Sequence, residues 1–168
     1  VTLNRWIAGE TERTARAVTE AIEAFRFNEA AAAIYHFIWH VYCDWYLELI
    51  KPILAGPDAE ARAETRALAA FVLDQALKLL HPFMPFVTEE IYSYLPAPSA
   101  EALVIHSFPE LDDSLLDESA EAEIGQAIAL TRALRRWRQL AGVPVKQVLA
   151  ARTDDGRPHE LVSRLAKV

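Results

Sequence analysis

Three potential metal ligands are spaced about one helical turn apart in the sequence. His36, His40 and Asp44 follow one another at intervals of four residues, so a helix would place their side chains on one face. A metal site in a helical protein also needs ligands from a facing element, and the other histidines are scattered along the chain. This pattern therefore predicts ordinary surface residues and no metal site.

A stripe of aromatic residues runs beside these histidines, also at helical spacing. It consists of Tyr35, Trp39, Tyr42 and Tyr46. Such a stripe can pack against neighbouring helices, or one or two of its rings can reach the surface and stack on unpaired bases. Arg26 precedes the stripe and Lys51 follows it, and cations near aromatic rings suit nucleotide loops better than duplexes. The residues alone leave core packing and base stacking open.

Four arginines cluster within seven residues near the end of a predicted helix. They are Arg132, Arg135, Arg136 and Arg138. The spacing predicts that the first three project opposite an apolar face containing Leu134 and Trp137, with Arg138 at its edge. Solubility explains one or two such arginines, whereas the density of the cluster favours contact with phosphates.

No pattern in the chain predicts an active site. The five glycines are isolated and no G-x-S-x-G occurs, so the sequence offers neither a phosphate-cradling loop nor a nucleophile elbow. The adjacent acids Glu89 and Glu90 point apart on a helix. Cys43 is the single cysteine, which excludes a disulfide framework and suits a reducing compartment. We expect its thiol to be buried and inert.

Composition and charge describe a globular chain of uneven charge. Of its 168 residues, 52% are hydrophobic and 24% are charged, and the net charge is −7. Residues 1–109 carry −6, residues 110–123 carry −7 and residues 124–168 carry +6. The acidic total argues against a generic nucleic-acid binder. No run of about 18 apolar residues suggests a membrane span, no secretory leader is visible, and the start at Val1 suggests a piece of a longer protein.

The first half of the chain has the periodicity of long helices. One apolar stripe begins at Leu3 and continues to Phe25, and a second helix is predicted over 29–50 with Asn28 as its N-cap. Lys51-Pro52 is expected to end that helix, and Pro57 to occupy the first turn of the next. The third helix should stop at His81-Pro82, because proline disfavours helical geometry in the residue before it.

The second half is predicted to be shorter and more mixed. A fourth helix is expected over 85–95, and Leu103–Ile105 has the composition of an extended piece. The acidic stretch leads into a fifth helix that ends near Ala141. We predict an all-α, up-down antiparallel bundle of four long helices plus a fifth, with a small truncated α/β appendage at the C-terminus. The predicted boundaries are a bundle over 1–109, a connector and fifth helix over 110–142 packing on it, and a strand-turn-helix appendage over 143–168.

Several segments resemble the anticodon-binding domain of the valyl-tRNA synthetases. The run from Tyr42 to Glu48, Tyr-Cys-Asp-Trp-Tyr-Leu-Glu, followed by Lys51-Pro52, is similar to a helix of that domain. The run from Leu79 to Tyr92, which contains His-Pro-Phe-Met-Pro-Phe, resembles a helix corner shared by the valine, isoleucine and leucine enzymes. The openings Asn4-Arg5-Trp6-Ile7 and Arg26-Phe27-Asn28-Glu29-Ala30 match the same domain. The likeness covers nearly the whole chain.

This resemblance implies a part of a class I aminoacyl-tRNA synthetase, which charges valine tRNA with the use of ATP and magnesium. The His-Ile-Gly-His and Lys-Met-Ser-Lys-Ser signatures of that class are absent from the chain. We therefore expect this fragment to bind the anticodon stem-loop, to need no cofactor and to catalyse nothing by itself. Its expected partners are valine tRNA and the catalytic domain of the same parent chain, in a cytoplasmic monomer with no membrane contact.

The resemblance also suggests which residues touch RNA. We predict Tyr42 as a stacking ring and Arg26 as a polar or phosphate contact, with His36, Trp39 and the 103–105 edge as weaker candidates. The cationic residues expected to hold the RNA backbone are Arg132, Arg135, Arg136, Arg138 and Lys146. Two alternatives stay open: a helical protein-interaction bundle that binds no RNA, and a metal-bearing bundle that uses His36, His40 and Asp44.

Overall fold

The computed structural model describes residues 1–95 and 100–144, together with Gln147 and Val162. Its helices are α1 (Thr2–Glu23), α2 (Phe27–His36), α3 (Leu47–Ala55), α4 (Ala59–Leu80), α5 (Pro85–Tyr92) and α6 (Glu118–Leu140). A π-helical segment, Phe37–Tyr46, joins α2 to α3 without a break, and 3-10 turns lie at Leu103–Ile105 and Asp113–Leu115. The described ranges contain no strand, which confirms the all-α class. None of their helices is both long and apolar enough to cross a membrane.

The chain divides into two compact units, Val1–Asp117 and Glu118–Val168. In the first unit, α1 packs on α2 and α4, and α4 packs on α3 and α5. Short connections between these helices make neighbours antiparallel. The main apolar cluster consists of Ala15, Val18, Ala21, Ala30, Ile34 and Leu79. The bundle thus has three long helical stretches and a short α5, which ends at Tyr92 rather than near residue 95 as predicted.

The second unit is described mainly through α6. The helix ends at Leu140, close to the predicted end, and its buried residues Ala120, Ile124, Ala127 and Thr131 recur every three or four positions. Ala127 packs with Val162 and with the partly buried Leu130 and Leu134. The predicted appendage over 143–168 lies outside the described residues except at Val143, Pro144, Gln147 and Val162.

Three predicted helix boundaries are wrong. The second helix begins at Phe27, and no side chain caps it, so Asn28 is not its N-cap. The same helix continues through Pro52 to Ala55, because one lost N–H is tolerated where the segment packs on α4. Asp58 caps α4 in place of the expected proline start, and its carboxylate accepts the backbone N–H groups of Glu60 and Ala61 at 3.0 Å each.

The predicted stop at His81-Pro82 is confirmed, and a side-chain network fixes the corner that follows. α4 ends at Leu80, and its C-cap His81 keeps helical backbone angles, so the helix stops because Pro82 has no N–H to donate and not because His81 is forced out of the helical region. The Thr88 hydroxyl donates to the Met84 carbonyl over 2.9 Å and is hydrogen-bonded to His81 Nδ1 over 2.8 Å. This corner therefore sets the direction in which α5 leaves α4.

The acidic segment before α6 is held on α1. Arg16 binds Asp113 over 2.5 Å, and Arg5 binds Asp117 over 2.8 Å. The buried carboxylate of Glu12 accepts the Asp112 N–H over 2.9 Å. These carboxylates therefore have local partners, and their charge is partly neutralised within the first unit.

Candidate functional site

One exposed face of the second helix gathers two aromatic rings and two imidazoles. Tyr35 and Trp39 expose 59% and 53% of their surface, and their ring centroids lie 6.3 Å apart. The His40 ring lies 6.1 Å from Tyr35 and 5.4 Å from His36. We call these four residues the aromatic face. Open π surfaces of this kind can stack on unpaired bases, and imidazoles can hydrogen-bond to base edges.

The π-helical segment explains why the aromatic face ends where it does. A π-helix bonds residue i to residue i+5, so it turns by a smaller angle per residue than an α-helix. Ile34 and Phe37 are buried and anchor the start of this segment. Tyr42 and Tyr46, three and seven positions after Trp39, therefore lie on the inward side of the helix.

Tyr42, the predicted stacking ring, is on the inward side. It is only 9% exposed, and its hydroxyl donates to the Ala69 carbonyl over 3.2 Å. Burial raises the pKa of Tyr42 to about 12, and Cys43 adds to the effect. Tyr46 is fully buried, and its hydroxyl donates to the Asn4 side chain over 3.3 Å. The stacking role predicted for Tyr42 requires an exposed ring face, which this structure does not provide.

The corner between α1 and α2 carries Arg26, a predicted contact residue. Its side chain is exposed, and its Nε–H donates to the Glu29 carboxylate over 2.9 Å. Two further aromatic residues, Phe25 and Phe27, flank it and are also exposed. The apolar spacing predicts Phe25 as the end of a buried stripe, so sequence reasoning missed both rings. The signal that could have identified this corner is the lack of a glycine between two predicted helices, where a helix end commonly has one.

Two of the three carboxylates along 27–55 have a cation nearby. Glu29 pairs with Arg26 and Glu48 pairs with Lys51, while Asp44 lies 3.2 Å from His40 Nδ1. These contacts are exposed and contribute little to stability. The charges of Arg26 and Lys51 do, however, reduce the negative potential along this helix, which favours approach of an anionic ligand.

The arginine cluster of α6 is only partly exposed. Arg132, Arg135 and Arg136 are exposed as predicted. Arg138 is only 6% exposed, and its guanidinium donates to the carbonyls of Pro144 and Gln147 over 3.1 Å and 2.6 Å. Trp137, expected on the buried face, is half exposed because the buried row turns towards Arg138 instead. Lys146 lies outside the described residues.

The 103–105 edge is a 3-10 turn and not the extended piece that was predicted. The Glu89 carboxylate accepts the N–H groups of Leu103 and Val104 over 2.7 Å and 3.1 Å. Leu103 packs on Leu77 and Tyr92, which holds the turn against the bundle. The β-branched composition of this segment favours a strand, but the hydrogen bonds to Glu89 and the burial of Leu103 stabilise the 3-10 turn instead. Val104 is left exposed.

The described residues hold no cluster of three or more His, Cys, Asp or Glu side chains that could bind a metal ion. His36, His40 and Asp44 do lie side by side, as the spacing predicts, with the two imidazole rings 5.4 Å apart and His40 Nδ1 3.2 Å from the Asp44 carboxylate. Cys43 is half-buried, and burial raises the pKa of its thiol, with Asp44 adding to the effect. A thiol with a raised pKa is a poor nucleophile at neutral pH.

Comparison with known proteins gives consistent matches. The family described as the anticodon-binding domain of tRNA ligases matches residues 4–153. Valine–tRNA ligase of Nitrobacter winogradskyi is 43% identical over 93% of this chain and 20% of its own length. The enzymes of that name from Caulobacter vibrioides and Bradyrhizobium diazoefficiens are 51% and 40% identical, over 84% and 99% of this chain and 16% and 22% of their own lengths. The chain thus spans about a fifth of the relatives it matches.

Proposed function

The chain belongs to the family of anticodon-binding domains of tRNA ligases, and from this premise we propose that it binds the anticodon stem-loop of a valine tRNA. The valine assignment rests on the relatives, which carry the name valine–tRNA ligase. We further propose that the parent protein is a cytoplasmic, monomeric ligase. Attachment of valine to its tRNA, with ATP and magnesium, is then the work of regions outside this chain.

The observation that carries the proposal is the exposed aromatic face. Trp39 and Tyr35 offer their rings to loop nucleotides that have left their stack, and each stacked base contributes about 1–3 kcal/mol. His36 and His40 lie beside these rings and supply hydrogen-bonding groups for base edges. The face can therefore bind an unpaired loop more tightly than a duplex, whose bases are stacked on one another.

Exposed cations supply the second part of the proposal. Arg26 stands at the start of the helix that carries the aromatic face, and Arg132, Arg135 and Arg136 lie on α6. Guanidinium groups bind phosphate oxygens and fix orientation without reading sequence. We leave Tyr42 and Arg138 out of the proposed contacts, because both side chains are buried and hydrogen-bonded to backbone carbonyls.

The test is binding of the chain to a synthetic RNA hairpin with a valine anticodon loop, measured beside a hairpin with a changed anticodon. We expect tighter binding of the valine hairpin, and a loss of about tenfold for Trp39→Ala, the equivalent of about 1.4 kcal/mol. Tyr94→Ala removes a ring that is even more exposed, two residues after the end of α5, and should have no effect.

Equal affinity for the two hairpins would contradict anticodon recognition. An unchanged affinity of Trp39→Ala would contradict the aromatic face as its site. Absence of RNA binding at low salt, combined with capture of a protein partner, would instead favour the alternative of a protein-interaction bundle.

A further inference from the structure

The corner between α1 and α2 has an unusual backbone. Phe25 has a φ of +58°, the left-handed region, and it is the single non-glycine residue in that region among those described. The Arg26 N–H bonds to the Ala21 carbonyl over 2.7 Å, and the Phe25 N–H bonds to the Ile22 carbonyl over 2.9 Å. This pattern is a Schellman motif, whose left-handed position is usually taken by glycine. A phenylalanine there is strained, because its Cβ crowds the backbone.

Burial of the ring does not compensate for this strain. Phe25 is 81% exposed and Phe27 is 52% exposed, so neither ring is enclosed by the core. The two rings meet edge to face, with centroids 6.2 Å apart. Strained backbone conformations cluster at ligand-binding segments, where the strained conformation holds side chains in position for the ligand.

The charge at the corner indicates what kind of ligand fits. Arg26 lies between the two phenylalanines in sequence, is exposed, and engages its Nε with Glu29. Its two terminal amino groups remain for a second acceptor, and phosphate oxygens suit their geometry. A pair of open rings around an arginine matches a nucleotide, which presents a flat base and an anionic phosphate. A purely apolar protein partner would leave the guanidinium unsatisfied.

We propose that Phe25 and Phe27 form a second stacking site, which takes an unpaired base while Arg26 binds the adjoining phosphate. The inference rests on the proposed function, since it assigns this corner to the same RNA loop. Phe27 precedes Tyr35 by eight residues, about 12 Å along the helix axis at 1.5 Å per residue. A single strand of a few nucleotides spans that distance, so one loop reaches both the corner and the aromatic face.

The experiment uses the full 168-residue chain and the valine hairpin with 2-aminopurine placed at each unpaired loop position in turn. Stacking on a ring quenches the fluorescence of this base analogue. We expect Phe25→Ala, Phe27→Ala and Phe25→Gly each to weaken hairpin binding about tenfold. Each should also abolish the quenching at one loop position while leaving it at the position that depends on Trp39.

Phe25→Gly separates binding from folding. Glycine adopts a positive φ without strain, so this variant should keep or raise the melting temperature while it loses affinity. Tyr94→Ala, which removes an exposed ring elsewhere, should change neither quantity. If the Phe25 and Phe27 variants bind like the wild type while Trp39→Ala does not, the corner is not a stacking site and the proposed function stands. If the wild-type chain fails to bind the hairpin, the proposed function fails and this inference with it.

Discussion

At the scale of single residues, exposure decides which members of the aromatic stripe can meet a ligand. Trp39 and Tyr42 are three positions apart and chemically similar, yet Trp39 is half exposed and Tyr42 is buried against Ala69. Tyr42 therefore contributes to the core, and the ring available for stacking is that of Trp39. Substitution of Tyr42 should therefore lower the stability of the fold, whereas substitution of Trp39 should weaken ligand binding.

The buried tyrosines predict a loss of stability at alkaline pH. An ordinary tyrosine has a pKa of 10.0, whereas burial raises the pKa of Tyr42 to about 12 and raises that of Tyr46 as well. The unfolded chain therefore releases these protons at lower pH than the folded chain. Their contribution to stability is complete below about pH 10 and is lost as the pH rises towards the pKa values of the folded protein.

We expect Tyr42→Phe to remove about 1–3 kcal/mol of this alkaline loss. It should also cost about 0.5–1.5 kcal/mol at neutral pH through the missing hydrogen bond to Ala69. Urea unfolding on both sides of pH 10 measures both effects. Tyr35→Phe, which removes a hydroxyl from an exposed ring, serves as the control. Identical pH profiles for Tyr42→Phe and the wild type would contradict the buried assignment.

The sequence predicts the residue types of the candidate site better than their orientation. Periodicity correctly placed Tyr35, Trp39 and the two imidazoles beside one another. It could not predict which rings face outward, since the π-helical segment changes the angle per residue and no residue type marks its start. The burial of Arg138 depends on carbonyls of the segment after α6, which a helical pattern does not contain.

At the scale of elements, caps and long-range contacts determine where helices end and which short elements form, and residue propensity alone does not predict these features. The long helices follow from apolar spacing, and the end of α4 follows from Pro82, which has no N–H to continue the helix. The 3-10 turn at Leu103–Ile105 depends on the Glu89 carboxylate, which lies 14 residues away in sequence. Local composition carries no information about such a partner, so this element was predicted wrongly.

The two helix starts predict different costs for similar substitutions. Asp58 caps α4 with two hydrogen bonds, whereas the Asn28 side chain caps nothing. We expect Asp58→Ala to lower the free energy of unfolding by about 1 kcal/mol and Asn28→Ala to change it by less than about 0.5 kcal/mol. Urea titration measures both variants. An equal cost at the two positions would show that Asn28 caps its helix after all.

The acidic connector predicts a second contrast. Glu12 is buried and binds both Arg16 and the Asp112 N–H, whereas the Arg5–Asp117 pair is exposed. Glu12→Ala removes a buried, charged acceptor from the Asp112 N–H and from Arg16, so we expect a loss of about 1–3 kcal/mol and faster hydrogen exchange at Asp112. Arg5→Ala should cost at most about 1 kcal/mol. Fast exchange in both variants would mean that the exposed ion pairs, and not Glu12, hold the connector.

At the scale of the whole molecule, a net charge of −7 must be reconciled with the proposed binding of a polyanion. The overall field opposes non-specific association, so affinity for RNA has to come from stacking and from a few local cations. The pairing of Asp113 and Asp117 with arginines of α1 reduces that opposition in the first unit. Weak background binding and strong loop preference are therefore expected together.

This balance predicts how one phosphate contact responds to salt. Arg136 is exposed on α6, and Arg136→Ala should reduce the slope of log affinity against log salt by about 0.7 for a single-stranded loop. Because phosphates carry no sequence information, the preference for the valine loop over the changed loop should stay the same. Arg66→Ala makes the same change in net charge at an exposed position of α4, so it controls for the general field. If both variants reduce the slope equally, the effect comes from net charge alone, and α6 does not contact the RNA backbone through Arg136.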